Sequence, residues 1–549
     1  MRYNKSTFGV LTLTLTGLFS VLCLSCQAQE SERQQILRGS ITPERAWWDL
    51  TYYHLQVEVD PENKRIFGSN EVHYQVLEPG QLLQIDLQEP MSMDKVYQGE
   101  QLLSFTSEGS AHFIQLDDSA PVGSEQQLTI LFSGKPRPAV RAPWDGGFSW
   151  ERDSNRKPFI ATSNQGIGAS VWWPNKDHPA DEVDSMKISL TVPKELVGVS
   201  NGRLVGIDST ATTRTFNWKV TNPINNYGVN LNIGDYVHWH DTYAGEQGTL
   251  DLDFWVLREN LAKAKEQFKQ VPMMLNAFEH WFGPYPFYED SYKLVEVPYL
   301  GMEHQSSVTY GNEYRNGYRG QDLSGTGEGL KFDFIIIHES GHEWFANNIT
   351  NSDVADMWIH EGFTAYSENL YLDYHFGTQS AADYVIGTRG RISNDRPIIG
   401  TYGKNQRGSS DMYYKGANIL HTLRQLVEDD EKWRKVLRGL NKTFYHQTVS
   451  SAQVEDYISQ ETGIDLTEFF DQYLRTTMIP SLEYKLDGKE LAYRYVNVVK
   501  GFDMPVEVMI NDQTQWLYPN AQWNTWKADK TIDTFEVDRD FYITSKKVD

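Results

Sequence analysis

Residues His338-Glu339-Ser340-Gly341-His342 place two histidines four positions apart, with a glutamate directly after the first. On a helix, side chains four residues apart project from the same face, so both imidazoles can reach one metal ion. Glu361 follows after a gap of eighteen residues and can supply a third ligand. Two histidines and one glutamate leave one position of a zinc ion open, as in catalytic sites. The stretch predicts one catalytic zinc ion per chain, with Glu339 as general base.

The residues around this motif predict a helix, a turn and a second helix. Apolar residues at 332 and 334–337 precede the motif, and 344–346 continue the helical pattern beyond it. Polar residues at 347–353 indicate a turn, after which we expect a helix from about 358 to 374. That arrangement returns Glu361 to the histidines. Glu343 is nearer but points about 100° away from His342 around the helix, so it is the poorer ligand. The alternative is a buried helix whose two histidines form hydrogen bonds within the protein and bind no metal.

Length and charge narrow the class of protein. At 549 residues the chain is too long for one core, and about two to four domains are expected. Its formal net charge is −24, and no basic stripe is present. We therefore expect no binding to nucleic acid and attribute the acidity to solubility.

The N-terminus reads as an export signal over residues 1–26. Arg2 and Lys5 precede an apolar stretch at 8–24, which is followed by Ser25 and Cys26. Residues 24–26 resemble a bacterial lipoprotein cleavage site, which would make Cys26 the lipidated first residue. Cleavage after Ala28, giving a soluble exported protein, is the competing interpretation, and an uncleaved anchor is a third.

This signal sets the expected location. Both cysteines of the chain, Cys23 and Cys26, lie in it, so the mature domains are expected to contain no disulfide. No comparable apolar stretch recurs, so contact with a membrane is expected only through a lipid on Cys26. We expect a lipid-anchored bacterial envelope protein, periplasmic or at the cell surface, or alternatively a soluble periplasmic or secreted one.

Hydrophobic periodicity divides the remainder of the chain. Residues 27–45 are polar and read as a tether, whereas 46–255 alternate as short strands do. Helical spacing takes over from Leu257, with Pro272 expected to kink or interrupt the first helix. We assign 256–478 to a mainly α domain with the zinc motif and 479–549 to a small β module. The predicted fold is multidomain α+β, with an N-terminal all-β domain, a mainly α catalytic domain and a C-terminal β domain.

Further motifs stand in a fixed order around the zinc motif. They are Gly301-Met302-Glu303-His304 upstream, and Trp358-Ile359-His360-Glu361-Gly362-Phe363 and Tyr413-Tyr414-Lys415-Gly416-Ala417 downstream. Residues 48–68 and 172–179 add a strand pair and a tryptophan-rich signature. On these motifs the chain resembles the gluzincin aminopeptidases, the group of aminopeptidase N and the leukotriene hydrolase-aminopeptidase. The resemblance covers nearly the whole mature chain.

This resemblance implies an aminopeptidase with a thermolysin-like domain at 256–478, acting on peptides with a free N-terminus. Glu303 would pair with the substrate ammonium, and Gly301 and Met302 would lie along the peptide. Gln165 would line the pocket for the N-terminal side chain. Tyr413 would donate to the oxyanion, although spacing alone leaves Tyr414 open.

The chain also departs from the family pattern. It has His304 and His360 where the family has asparagine, and Leu300 and Ser170 also differ. A protonated His304 would repel the substrate ammonium. Relatives of the aminopeptidase N type carry a large helical C-terminal domain that this sequence does not show, so a more open cleft is expected. A zinc endopeptidase, an inactive peptide-binding scaffold and an epoxide hydrolase are the alternative functions.

Overall fold

The computed structural model describes residues 31–549, so the export signal and Cys26 lie outside the described residues. The N-terminal domain is all β, with alternating buried side chains such as Leu55, Val57 and Val59. Its strands are β1 (Trp48–Asp60), β2 (Arg65–Val76), β3 (Leu82–Asp86), β4 (Met91–Gln98), β5 (Gln101–Glu108), β6 (Ala111–Gln115), β7 (Glu125–Gly134), β8 (Gly147–Arg152), β9 (Pro158–Ser163), β10 (Ser185–Pro193), β11 (Val197–Val199), β12 (Arg203–Ser209), β13 (Thr213–Val220) and β14 (Asn232–Gly234).

Two sheets enclose the core of this domain. The ten-stranded sheet has the order β12-β13-β10-β1-β2-β7-β4-β5-β6-β3, in which β1 and β10 pair in parallel. The second sheet, β11-β14-β9-β8, shares its apolar core with the first. Trp172 and Trp173 of the tryptophan-rich signature are fully buried in that core, so the signature anchors the loop after β9.

The expected tether at 27–45 is wrong for its described part. Residues 32–46 form two short helices, α1 (Glu32–Gly39) and α2 (Pro43–Ala46). Arg45 is 1% exposed, pairs with Asp86 at 2.5 Å and donates to the carbonyls of Leu37 and Ser40 at 2.8 Å. A polar composition resembles a solvated linker, but here the charge is paired inside the domain.

The catalytic domain combines a five-stranded sheet with helices. Its elements are β15 (Tyr236–Gly245), β16 (Gly248–Leu257), α3 (Leu261–Gln267), α4 (Gln270–Phe282), β17 (Tyr292–Glu296), β18 (Gly301–Met302), β19 (Val308–Tyr310), α5 (Phe334–Gly341), β20 (Ile349–Asn351), α6 (Trp358–Phe376), α7 (Thr378–Gly387), α8 (Tyr414–Val427), α9 (Asp430–Thr443), β21 (Gln447–Val449), α10 (Ser451–Thr462) and α11 (Thr467–Leu474). The sheet order is β15-β16-β17-β19-β18, and β20 pairs with β21.

The structure moves the domain boundary expected at 255/256. Strands β15 and β16 belong to the catalytic sheet, because β16 pairs in parallel with β17. Leu250, Leu252 and Phe254 are buried in the catalytic core. The change of period marks the end of these strands and not the end of a domain. Pro272 lies in the first turn of α4, where its missing amide costs little, and the helical segment is interrupted before it.

The two helices of the zinc motif also differ slightly from expectation. Helix α5 ends at Gly341 and does not extend through 344–346: residues 342–344 form a turn, and Ala346 has a φ of 152°. His342 is the residue that caps α5. Helix α6 begins at Trp358 as predicted and ends at Phe376.

The C-terminal module is β, as predicted. Its strands are β22 (Ser481–Asp487), β23 (Glu490–Val496), β24 (Val506–Ile510), β25 (Gln513–Leu517), β26 (Asn524–Lys527), β27 (Phe535–Val537) and β28 (Thr544–Lys547). They form the sheets β26-β23-β22-β28 and β25-β24-β27. The module shares its core with the catalytic domain, where the Tyr473 hydroxyl donates to the Tyr542 carbonyl at 2.8 Å. Within residues 31–549, no helix is long and apolar enough to cross a membrane.

Replacing Arg45 by leucine should destabilise the N-terminal domain. It leaves Asp86 buried without its partner, a change that costs about 3–5 kcal/mol of unfolding free energy. Urea denaturation measures this loss. Arg33→Leu, which removes the solvent-exposed pair with Glu108, is the control and should leave the midpoint unchanged. Equal midpoints for both variants would show that 32–46 are not part of the fold.

Candidate active site

Helix α5 carries the first part of the zinc motif out of the core. Asp333 caps its N-terminus by accepting hydrogen bonds from the amides of Ile335 and Ile336, at 3.1 and 3.4 Å. The buried apolar residues of its first turns fix the helix against the sheet. His338 and Glu339 therefore reach the cleft from the last turn of a capped and tightly packed helix.

The predicted ligands come together. The Glu361 Oε2 atom lies 3.8 Å from Nε2 of His338 and 3.4 Å from Nε2 of His342. Zinc bound tetrahedrally at about 2.0–2.2 Å would space its ligand atoms by about 3.4 Å. Glu361 is 1% exposed, and its Oε2 has no hydrogen-bond partner within residues 31–549, whereas Oε1 accepts from Gln165. An orphaned buried carboxylate oxygen facing two imidazole nitrogens fits a zinc ion.

Other side chains orient these ligands, and sequence reasoning missed them. Nδ1 of His338 donates to Glu368 at 2.7 Å, and Nδ1 of His342 donates to the Phe345 carbonyl at 3.0 Å. Each bond leaves Nε2 free for the metal. Glu368 lies seven residues after Glu361, two turns along the same face of α6, and that spacing was the available signal.

The site contains several glutamates close together, which gives it a strong negative charge. Burial opposes protonation of His338, but hydrogen bonds to Glu361 and Glu368 outweigh it and raise its pKa well above the usual value. Burial raises the pKa of the Glu339 carboxyl, His338 opposes this, and Glu303 adds to it. A bound divalent cation would offset the repulsion among these carboxylates.

Glu303 lies beside the metal ligands, where Gln165 holds it. The Gln165 amide donates to Glu303 at 2.8 Å and to Glu361 at 2.7 Å. Ligand atoms of Glu303, Glu339 and His342 all lie within 4.8 Å of one another. The side chain of Gln165 comes from the loop after β9, so the N-terminal domain closes this end of the site.

Strand β18 consists of the first two residues of the Gly301-Met302-Glu303-His304 motif, and both are buried. A Cβ atom on Gly301 would lie 2.7 Å from Ile335 and 3.0 Å from the Glu339 carboxylate, so a side chain there would displace the predicted base. Met302 is 5% exposed, and its carbonyl accepts from Thr309 at 3.1 Å.

The two neighbouring tyrosines face different groups. The Tyr413 ring stacks on His338 with centroids 6.0 Å apart. Burial raises the pKa of Tyr413 well above its usual value, and Glu361 adds to the shift. Burial also raises the pKa of Tyr414, but there the nearest charges are Glu368 and Arg391. The geometry thus puts Tyr413, and not Tyr414, against the metal ligands.

Two family models match the chain. The Peptidase M1 N-terminal domain covers residues 50–227, and the Peptidase family M1 domain covers residues 266–473. The chain belongs to the M1 peptidase family. Its similarity to the gluzincin aminopeptidases, predicted from the motifs, is confirmed.

Curated M1 relatives are distant and longer. Probable aminopeptidase 1 of Sulfurisphaera tokodaii is 22% identical over 442 residues, which cover 75% of this chain and 53% of the relative. Aminopeptidase M1-B of Oryza sativa subsp. japonica is 22% identical over 392 residues, covering 68% and 43%. The chain therefore spans about half the length of the curated relatives it matches.

Solved M1 structures share the fold. An M1 zinc metallopeptidase from Deinococcus radiodurans is 20% identical with a TM-score of 0.68, covering 79% of this chain and 96% of the other. A variant bound to a Tyr-Ser-Ala substrate, from the same organism, has the same identity and TM-score and covers 81% and 99%. The likeness confirms the predicted β, mainly α and β architecture.

The departures from the M1 pattern do not disturb the ligands. His304 is fully buried, and burial lowers its pKa to about 3, so it is neutral near pH 7 and the expected repulsion of an ammonium does not arise. His360 accepts from the Asn351 amide at 2.9 Å. Leu300 is buried, and Ser170 donates to Asp177.

Removing the Glu368 carboxylate, which orients His338 but is not itself a ligand, should weaken zinc binding without abolishing it. Glu368→Gln weakens the hold on His338 and should lower zinc affinity about 10–100-fold, measured by chelator competition. Glu361→Ala removes a ligand and should lose zinc altogether.

Glu339→Gln is the matched control, since it changes a neighbouring carboxylate that is not a ligand. It should keep zinc and lose at least about a hundredfold in peptide hydrolysis. Zinc loss in Glu339→Gln, or normal turnover with zinc present, would contradict the assigned roles.

Proposed function

We propose that this M1 family member is a zinc-dependent aminopeptidase that removes the N-terminal residue of peptides. The placement of Glu303 carries the proposal. A buried carboxylate a few ångströms from Glu339 and His342 can pair with a substrate ammonium while the first peptide bond lies at the metal site.

The N-terminal domain supports an exopeptidase over an endopeptidase. Gln165 and Tyr227 both come from that domain and contact Glu303. Burial raises the pKa of Tyr227 well above its usual value, and Glu303 and Glu361 add to the shift, so its hydroxyl lies near both carboxylates. A chain extending past Glu303 would have to displace these side chains.

The described residues supply the remaining chemistry. A zinc ion, when bound, lowers the pKa of water and polarises the scissile carbonyl. Glu339 accepts the proton of the attacking water and passes it to the leaving amine. Tyr413 donates a hydrogen bond to the carbonyl oxygen as it gains negative charge.

Glu303→Ala should selectively impair substrates with a free amine. A charge-assisted bond in a buried site is worth about 1.5–3 kcal/mol, so kcat/KM should fall roughly tenfold to a few hundredfold. The same peptide with an acetylated N-terminus should be a poor substrate for the native enzyme and should lose much less on substitution.

Glu303→Gln tests whether charge or shape matters. It keeps the size of the side chain and removes the charge, so it should behave like Glu303→Ala on the free amine. Equal losses on free and acetylated peptides would make Glu303 structural and favour a zinc endopeptidase. Peptide binding without any hydrolysis by the zinc-loaded protein would instead indicate a scaffold.

Tyr413→Phe should lower kcat by about 10²–10³ with little change in KM, because it removes one donor to the oxyanion. Tyr414→Phe is the matched control and should be nearly silent. Steady-state kinetics on one amino-acid amide compares the two. The reverse pattern would transfer the role to Tyr414.

We also propose that the chain is exported and anchored by a lipid on Cys26. The charged start, the apolar stretch and Ser25-Cys26 support this. Metabolic labelling with radioactive palmitate in a bacterial host should mark the native protein, and Cys26→Ser should remove the label and block cleavage before residue 26. An unlabelled native protein cleaved after Ala28 would indicate soluble export.

A further inference from the structure

The active-site cleft has a volume of about 380 Å³, and its charges are unevenly distributed. Glu303, Glu339, Glu361 and Asp411 line it. Among the described lining residues, Arg391 is the one lysine or arginine. A free peptide carries a negative charge at its C-terminus, which these carboxylates would repel.

Aromatic rings connect the metal site to Arg391. The Phe334 ring stacks on His338 with centroids 5.0 Å apart, and Tyr318 meets Phe334 edge-on at 5.4 Å. Burial raises the pKa of the Tyr318 hydroxyl; among nearby charges Arg319 lowers this pKa most, Glu339 raises it and Arg391 lowers it. Tyr318, Phe334 and Arg391 all line the cleft with His338 and Glu339, so the rings and the guanidinium belong to one wall.

Arg391 is held in place but is free to bind an anion. It ends the 3₁₀ turn Thr388–Arg391, which Arg389 anchors through bonds to Asn418 at 2.6 Å and the Arg539 carbonyl at 2.7 Å. Nε of Arg391 donates to the Leu323 carbonyl at 2.6 Å. Arg391 is exposed, lines the cleft and forms no ion pair within residues 31–549, so no carboxylate of the described residues neutralises its charge.

We propose that Arg391 binds the C-terminal carboxylate of the substrate, which makes short peptides with a free C-terminus the favoured substrate class. This inference rests on the proposed aminopeptidase function. Glu303 takes the ammonium at one end of the cleft and Arg391 the carboxylate at the other. A planar guanidinium suits a carboxylate because it can donate two parallel hydrogen bonds.

The test compares the tripeptide Leu-Ala-Ala as a free acid and as its C-terminal amide. Arg391→Ala should raise KM for the acid about tenfold, the usual scale for losing a charge-assisted hydrogen bond, with kcat little changed. The amide should change less than about twofold. Arg391→Lys should recover part of the difference, because it restores the charge without the fork.

Arg319→Ala is the matched control. Arg319 is also exposed and also lowers the pKa of Tyr318, but it lines a different cavity, so its loss should leave the ratio of acid to amide unchanged. An equal change for acid and amide in Arg391→Ala, or no change for either, would overturn the proposal.

Binding keeps this test separate from the proposed function. In a Glu339→Gln background, calorimetry should show weaker binding of the acid, and not of the amide, when Arg391 is also replaced. If the native enzyme does not hydrolyse the peptide amide, the aminopeptidase proposal is wrong. If replacing Arg391 leaves binding of the free acid unchanged, the proposal for Arg391 is wrong.

Discussion

The buried Glu361 carboxylate between two imidazoles is the constraint on which the site depends. It requires α5 and α6 to cross at one place, because three ligand atoms must converge within a few ångströms. The same carboxylate and imidazoles also need hydrogen-bond partners for the atoms that do not face the metal site. A carboxylate and two imidazoles in an apolar core are costly without a cation, so Glu368, the Phe345 carbonyl and Gln165 each take up a polar atom that zinc does not.

Local sequence patterns predicted the zinc site, the order of the domains along the chain and helix α6. These features depend on residues close together in sequence: the spacing of His338 and His342 is a property of one helix turn, and alternation is a property of one strand. The resemblance to a family added the placement of Glu303 and Tyr413, which spacing alone could not give.

The sequence could not predict features that depend on distant pairing. Helices α1 and α2 look like a linker until Asp86 is known to lie opposite Arg45. Strands β15 and β16 look like part of the first domain until β17 is known to pair with β16. Glu368 was readable from its seven-residue spacing, but Tyr227 was not, because the contact joins positions more than seventy residues apart.

The bond from Gln165 to Glu361 ties the packing of two domains to the metal. If zinc orders Glu361, it strengthens the contact that holds the N-terminal domain over the cleft, and by reciprocity closure of that domain strengthens the hold on zinc by the same free energy. Metal affinity in this protein is then not a property of the zinc motif alone. Separating the domains would lower the affinity for zinc even with all three ligands intact. The isolated catalytic domain would therefore bind zinc more weakly than the full chain.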